Sequence, residues 1–224
     1  MHLQPTITGR TKEANMADKA KFWDGTAEKY SKQPIANQKA YEVKLDLTRE
    51  YFTPDSNVLE FGCGTGSTAI LHAPFVNHID AIDVSSEMIR IAKGKLAPAG
   101  VENVTFRVAD MDGFEVASES YDAALGLNIL HLLDDRMAAM REVYKALKPG
   151  GHFISSTVCL REKLLFTLMD PLFPLMHALG RWPKVYRISA KRLQRDMEEV
   201  GFKTVHYWQP DNGMSVFMVG QKVA

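Results

Sequence analysis

Cysteine is scarce in this 224-residue chain, with only Cys63 and Cys159. That excludes a disulfide framework and a cysteine-rich zinc site, no metal is expected, and the expected compartment is reducing and cytoplasmic. Excess charge of either sign is missing: 27 Lys+Arg stand against 27 Asp+Glu. No global basic field draws the chain onto nucleic acid or an acidic membrane, so no nucleic-acid partner is expected. Long apolar runs are missing as well. The most apolar stretch, 164–179, is broken by Asp170, Pro171 and Pro174, which argues against a membrane span. Residues 1–16 lack the apolar core of a secretory signal. There is no internal repeat and no low-complexity tract. What is present is 46% hydrophobic and 24% charged, the balance of a globular domain with its own core. Residues 1–18 read as a flexible leader, with Met16 a second candidate start, before a single domain over 19–224.

That domain is organised around Val58–Gly66, VLEFGCGTG. Val58 and Leu59 close an apolar run of the kind that makes a buried strand, and Glu60 stands where it ends. Gly62, Gly64 and Gly66 then alternate with Cys63 and Thr65. Glycine tolerates positive φ and close backbone approach, so this spacing predicts a tight strand-to-helix turn around a small molecule. The helix that follows, from Ser67, presents free N–H groups at its start.

Strands and helices alternate on either side. Lys19–Tyr30 is a short amphipathic stretch, and Ala36–Phe52 reads as a helix. Strands are expected at Asn57–Phe61, His78–Asp83, Val104–Ala109, Tyr121–Leu127 and Gly151–Thr157. Ser85 or Ser86 caps a helix that ends near Pro98–Gly100, Asp134 begins another, and Pro149-Gly150-Gly151 terminates that one. Ser189 caps a helix to Val200, and Phe202–Gln209 with Val216–Gln221 forms a closing antiparallel pair. The pattern predicts an α/β, Rossmann-like, doubly wound seven-stranded sheet. It is mostly parallel with an antiparallel last strand, and helices cover both faces. The segment 159–188 interrupts the alternation as a helical insert. Its Leu, Phe and Met are read as a lid over an apolar pocket, with Pro171, Pro174 and Pro183 as breaks.

Glu60, Asp83, Asp110 and Asn128 all fall at strand C-terminal ends, where such sheets bind ligands. Two ligands compete. A nicotinamide or flavin dinucleotide wants G-x-G-x-x-G, but position 67 is Ser67 and the third glycine comes one residue early. Glu60 would also oppose a pyrophosphate and suit an ammonium. Asp83 can accept from both hydroxyls of a ribose. Asp110 can accept from the exocyclic amine of adenine, with Met111 and Val84 as apolar walls. An adenosine bearing an amino-acid tail meets all of these.

These residues resemble the class I S-adenosylmethionine-dependent methyltransferases, most of all the type 11 and quinone-biosynthesis group that acts on small molecules. The likeness rests on VLEFGCGTG, AIDVSSEMIRIAK (81–93), VAD-MD (108–112), LNILHLLDD (127–135) and LKPGGHF (147–153). It implies S-adenosylmethionine as the cofactor and a small, partly apolar or aromatic acceptor. Gly62, Gly64 and Gly66 would approach the methionine moiety, and Glu60 would orient its amino group. Asp83 would hold the ribose. Val84 and Met88 would pack on the adenine, with Asp110 and Met111 at its other edge. Asn128 would offer backbone contact to the amino-acid tail, and Tyr30 would close over the carboxylate. Cys63 counts among these as a small side chain inside the turn, not as a reactive thiol.

Methyl transfer from a sulfonium needs alignment and exclusion of water, and a base only where the acceptor carries a proton. His131, three residues past Asn128, is the candidate base or acceptor-orienting group. His177 is a weaker one, and His72 and His78 read as structural. Lys191, Arg192 and Arg195 read as a solvated helix face. The other readings left open are a nicotinamide-dependent oxidoreductase and a non-catalytic S-adenosylmethionine-binding regulator. Monomer and homodimer are both compatible with the sequence.

Overall fold

The computed structural model describes residues 8–111, 114, 116–159, 172–210 and 214–223. Seven strands form one sheet: β1 (Asn57–Phe61), β2 (His78–Asp83), β3 (Val104–Val108), β4 (Tyr121–Leu127), β5 (Leu147–Val158), β6 (Phe202–Trp208) and β7 (Ser215–Lys222). Their order is β3-β2-β1-β4-β5-β7-β6. Pairings from β3 through β5 are parallel, and β7 runs antiparallel to both β5 and β6. This is the Rossmann-like sheet expected from the alternation, with its single reversed strand last in the chain.

Strand alternation sorts the core into two layers. Leu59, Phe61, Ile82, Phe153 and Met218 face one cluster, while Val58, Ile79, Ala81, Ile154 and Phe217 face the other. The first layer is backed by α6 (Arg136–Ala146) and α8 (Ala190–Val200). The second is backed by α3 (Ser67–His72) and α4 (Ser86–Gly94). Helix starts follow the capping rule. Asn37, Ser85, Asp135 and Ser189 each accept a backbone N–H three residues on, worth about 1 kcal/mol apiece.

The structure departs from the sequence expectations in four places. First, α1 spans Thr8–Ser31, so residues 8–18, expected as a leader, continue the helix of the Lys19–Tyr30 stretch. Residues 1–7 lie outside the described residues. Second, the Pro-Gly-Gly expected to end α6 lies inside a strand. β5 starts at Leu147, opposite Tyr121, and its register then jumps so that Ala123 faces His152. Gly150 takes φ 80° in that bulge, so the turn residues bend the strand without ending it. Third, α4 stops at Gly94. A separate short turn, α5 (Leu96–Ala99), carries the chain to a left-handed Gly100. Fourth, Pro174, expected as a break, lies within α7 (Leu172–Ala178). Residues 160–171, part of the expected lid, lie outside the described residues. Among the described residues, no helix is long and apolar enough to cross a membrane.

Candidate active site

The glycine turn is held by hydrogen bonds reaching back to β2. Cys63 N–H donates to the Ile82 carbonyl at 3.0 Å, and Gly64 N–H donates to Asp83 Oδ2 at 2.9 Å. Gly62 and Gly64 take φ of 66° and 54°, the left-handed region that glycine enters most easily. A Cβ on Gly62 would also lie 2.6 Å from the Ile129 side chain. Gly66 serves a different end. Its Cβ would strike Phe106 at 2.5 Å and Ala92 at 2.8 Å, so it lets β3 and α4 close behind the turn.

In front of the turn lies a cavity of about 710 Å³ at the C-terminal ends of β1, β2 and β4. Strand order diverges there, with β2 on one side of β1 and β4 on the other. Tyr30, Glu60, Gly62, Cys63, Gly64, Asp83, Val84, Met88, Asp110, Met111 and Asn128 all line it. Gly66 and His131 do not.

One end of the cavity is acidic. Glu60 is only 2% exposed, and its Oε2 has no hydrogen-bond partner. Burial, with a smaller contribution from Asp83, pushes its pKa up to about 8. The free carboxyl is therefore protonated at neutral pH, and a cation seated against it would draw the proton off. Burial raises Asp83 too, while N–H donors from Ser85 and Gly64 hold it down. Those two bonds leave part of the carboxylate's accepting capacity free. Burial also drives the Cys63 thiol well above its usual range, so it stays neutral. Asn128 adopts φ 57°, an uncommon conformation outside glycine. Its N–H donates to the Ser156 carbonyl at 2.6 Å. The backbone contact expected of Asn128 is thus left to its carbonyl.

The roof comes from the two N-terminal helices. Asp24 of α1 accepts from Ser85 Oγ at 2.6 Å and from Glu87 N–H at 3.1 Å, which pins α1 on the start of α4. Arg90 to Glu28 at 2.7 Å and Lys19 to Asp110 at 3.0 Å add to that attachment. The Tyr30 ring stands near Gly64 and edge-on to Trp23, with centroids 6.4 Å apart. In α2 (Gln38–Arg49), Ala40, Tyr41, Lys44, Leu45 and Thr48 all line the cavity. Their spacing of three and four puts them on one helical face. Leu47 packs into the core layer instead.

That α2 face forms a second, basic end. Lys44 Nζ donates to Ser156 Oγ of β5 at 2.8 Å and to Ser215 Oγ of β7 at 3.0 Å. Burial lowers the Lys44 pKa. His72 also lines the cavity, fully buried, with neither ring nitrogen hydrogen-bonded. Burial, with a smaller push from Arg49, drops its pKa to about 3. Lys44, Ser156, Ser215 and His72 were not among the residues the motifs pointed to. The available signal was a lysine sharing a helix face with Tyr41, Leu45 and Thr48.

The expected base fares less well. His131 is buried off the cavity wall with its Nδ1 unpartnered, and burial lowers its pKa to about 4. His177 is exposed, 3.2 Å from the Trp182 carbonyl. The described part of the insert contributes nothing to the cavity lining, so the cover seen over the site is α1 and α2.

Residues 58–151 match the methyltransferase-domain family. Over that segment, which holds the glycine turn and the strand ends around the cavity, the chain is similar to methyltransferase domains. The O-methyltransferase cnsE of Penicillium expansum is 24% identical over 192 residues, covering 82% of this chain and 64% of that protein. The chain therefore spans less than two thirds of that relative's length. Among solved structures, the YcgJ protein of Bacillus subtilis superposes with TM-score 0.67 at 18% identity, covering 82% of this chain and 99% of its own. The cyclase SpnF superposes with TM-score 0.71 at 18% identity, covering 86% and 85%. Likenesses this distant establish the fold alone. Lys44 and both serines of the basic end lie outside the matched 58–151 segment, whereas Glu60, Asp83, Asp110 and Asn128 lie within it.

Proposed function

We propose that this chain transfers the methyl group of S-adenosylmethionine to an oxygen of a small, partly apolar acceptor. One observation carries the reading. A buried carboxyl without a hydrogen-bond partner, Glu60, faces a cavity directly beneath a glycine turn of left-handed backbone. A pyrophosphate would find no counter-charge there and would hold Glu60 protonated, whereas an ammonium draws off that proton and completes the group as an ion pair, which also argues against the nicotinamide alternative. The residues fit an adenosyl amino acid throughout. Asp83 keeps accepting capacity for ribose hydroxyls, Val84, Met88 and Met111 supply flat apolar contact, and Asp110 accepts at the adenine edge. Gly62 and Gly64 allow the tail to approach, Gly66 supports their turn from behind, and Tyr30 covers the tail.

S-adenosylmethionine supplies the activated methyl when bound. The chain's own part is to hold the acceptor in line, exclude water with α1 and α2, and keep the acidic end matched to the tail's ammonium. His131 is off the wall and His72 is very weakly basic, so no strong histidine base lines the cavity among the described residues. Such a site suits an oxygen that arrives already ionised. The oxygen acceptor is proposed by analogy with relatives that are O-methyltransferases, cnsE among them. Both cysteines are buried thiols outside any disulfide, which fits the proposed cytoplasmic setting.

Calorimetry with S-adenosylhomocysteine and with NADH tests the reading. Micromolar binding of the first and none of the second is expected, and Asp83→Ala should weaken it at least tenfold. Equal or stronger NADH binding would refute the cofactor. An unchanged affinity in the variant would refute the ribose assignment.

A further inference from the structure

We infer that the Lys44 end of the cavity is the acceptor's anchoring subsite, and that it takes an anionic oxygen group, a carboxylate or an ionised phenol. The inference rests on the methyl-transfer reading for its word acceptor. Its evidence is separate from the cofactor end.

The argument is a count of donors and acceptors. Lys44 brings an ammonium with three N–H bonds, two of which go to Ser156 Oγ and Ser215 Oγ. No carboxylate among the described residues pairs with it. Each serine oxygen accepts from the lysine, and neither hydroxyl donates to any group among the described residues. One N–H and two O–H bonds therefore remain around a single positive charge, with nothing there to receive them. A ligand that only accepts, and carries a negative charge, completes this set. A neutral hydroxyl or amide would leave the charge uncompensated in a partly buried place. The three residues come from α2, β5 and β7, so the arrangement is held by the fold and not by one mobile loop. Hydroxyl dipoles hold the lysine in place without neutralising it, which keeps its charge available to a ligand.

The apolar lining nearby sets the rest of the ligand. Leu45, Val158 and Met214 line the same cavity. The acceptor is thus a small apolar or aromatic body with one anionic oxygen group, too small a charge load for a nucleotide or phosphosugar.

The test measures binding of benzoate, phenylacetate and octanoate, each against its neutral primary amide, and of 4-nitrophenolate against nitrobenzene. Titrations run on the full chain with saturating S-adenosylhomocysteine, for wild type, Lys44→Met, Lys44→Arg and Ser156→Ala. At least one anion should bind wild type tenfold or more tightly than its neutral partner. Lys44→Met should erase that preference, Lys44→Arg should keep part of it, and Ser156→Ala should reduce it severalfold. The carboxylate and phenolate arms identify which oxygen group is taken. No preference in any pair, a preference that survives Lys44→Met, or tighter binding of the neutral partners would overturn the inference. Tighter neutral partners would point to Lys44 as an uncharged base. S-adenosylhomocysteine titration of each variant reports on the other end and on folding. Failure there in wild type refutes the methyl-donor reading, while normal binding there without anion preference refutes only this subsite.

Discussion

The two ends of the cavity differ in sign and in construction. The acidic end is assembled from consecutive strand ends and one glycine turn, all within the segment that matches the methyltransferase-domain family. The basic end joins a helix before that segment to two strands at or after its close. Lys44 reaches serines 112 and 171 residues away in sequence. A local motif can specify the first kind of site, because spacing along the chain is spacing in the fold. The second exists only after the sheet has closed. The family match therefore takes in the locally specified end and leaves out Lys44 and its two serines.

The sharpest way to break this contrast is at the turn. Gly62→Ala should lower S-adenosylhomocysteine affinity at least a hundredfold by calorimetry. The new Cβ meets Ile129 at 2.6 Å, and the left-handed backbone penalises any side chain. Adding Ile129→Ala should recover only part of the loss, since the backbone cost remains. Gly66→Ala should lower the thermal midpoint more than the affinity, because its clash is with Phe106 and Ala92 in the core. If the two variants behave alike, the division between cradle and packing glycine is wrong.

Glu60 gives the next effect, and its sign depends on pH. The folded pKa of about 8 lies above the ordinary carboxyl value of 4.5. The ligand-free protein is therefore most favoured by this group below pH 4.5 and loses that contribution as pH rises through 8. Glu60→Gln should raise the ligand-free thermal midpoint at pH 8 by ~5 °C and weaken S-adenosylhomocysteine roughly tenfold. Binding to wild type at pH 7 should release about one proton, read by calorimetry in buffers of different ionisation enthalpy. The variant should release none. Equal proton release from both would remove the ammonium from its assigned place.

Much of the acidic end was legible before any coordinates. β1, β2 and β4 have the bounds their short apolar runs suggest, because glycine, proline and aspartate punctuate them. The cradle residues follow from those bounds. Local signals misled where pairing overrode them. Leu147–Gly150 reads as a helix stop, yet the pairing of Leu147 with Tyr121 of β4 draws it into a strand with a bulge. Lys44 was not singled out at all, since one lysine on an amphipathic helix carries no local signal, and only its distant serines show that it faces inward. His131 was placed by proximity in sequence to Asn128, but the chain turns after β4 and carries its ring off the wall.

The smallest expected effect concerns the imidazole on the cavity wall, which belongs to neither charged end. His72 is fully buried, its ring edge-on to Phe52 with centroids 5.2 Å apart, and its pKa is driven down to about 3. Its folded value lies below the ordinary 6.5, so its contribution to stability is intact above pH 6.5 and is lost as pH falls toward 3. His72→Phe keeps an aromatic ring against Phe52 and removes the group that must stay neutral. Denaturant unfolding at pH 7.5 should then separate variant from wild type very little. At pH 5 the variant should be more stable by about 2 kcal/mol, the unfolded wild type alone gaining a proton there. The same gain at both pH values would mean better packing. A loss confined to pH 5 would mean that the imidazole accepts a proton inside the cavity, and the wall would then carry a base after all.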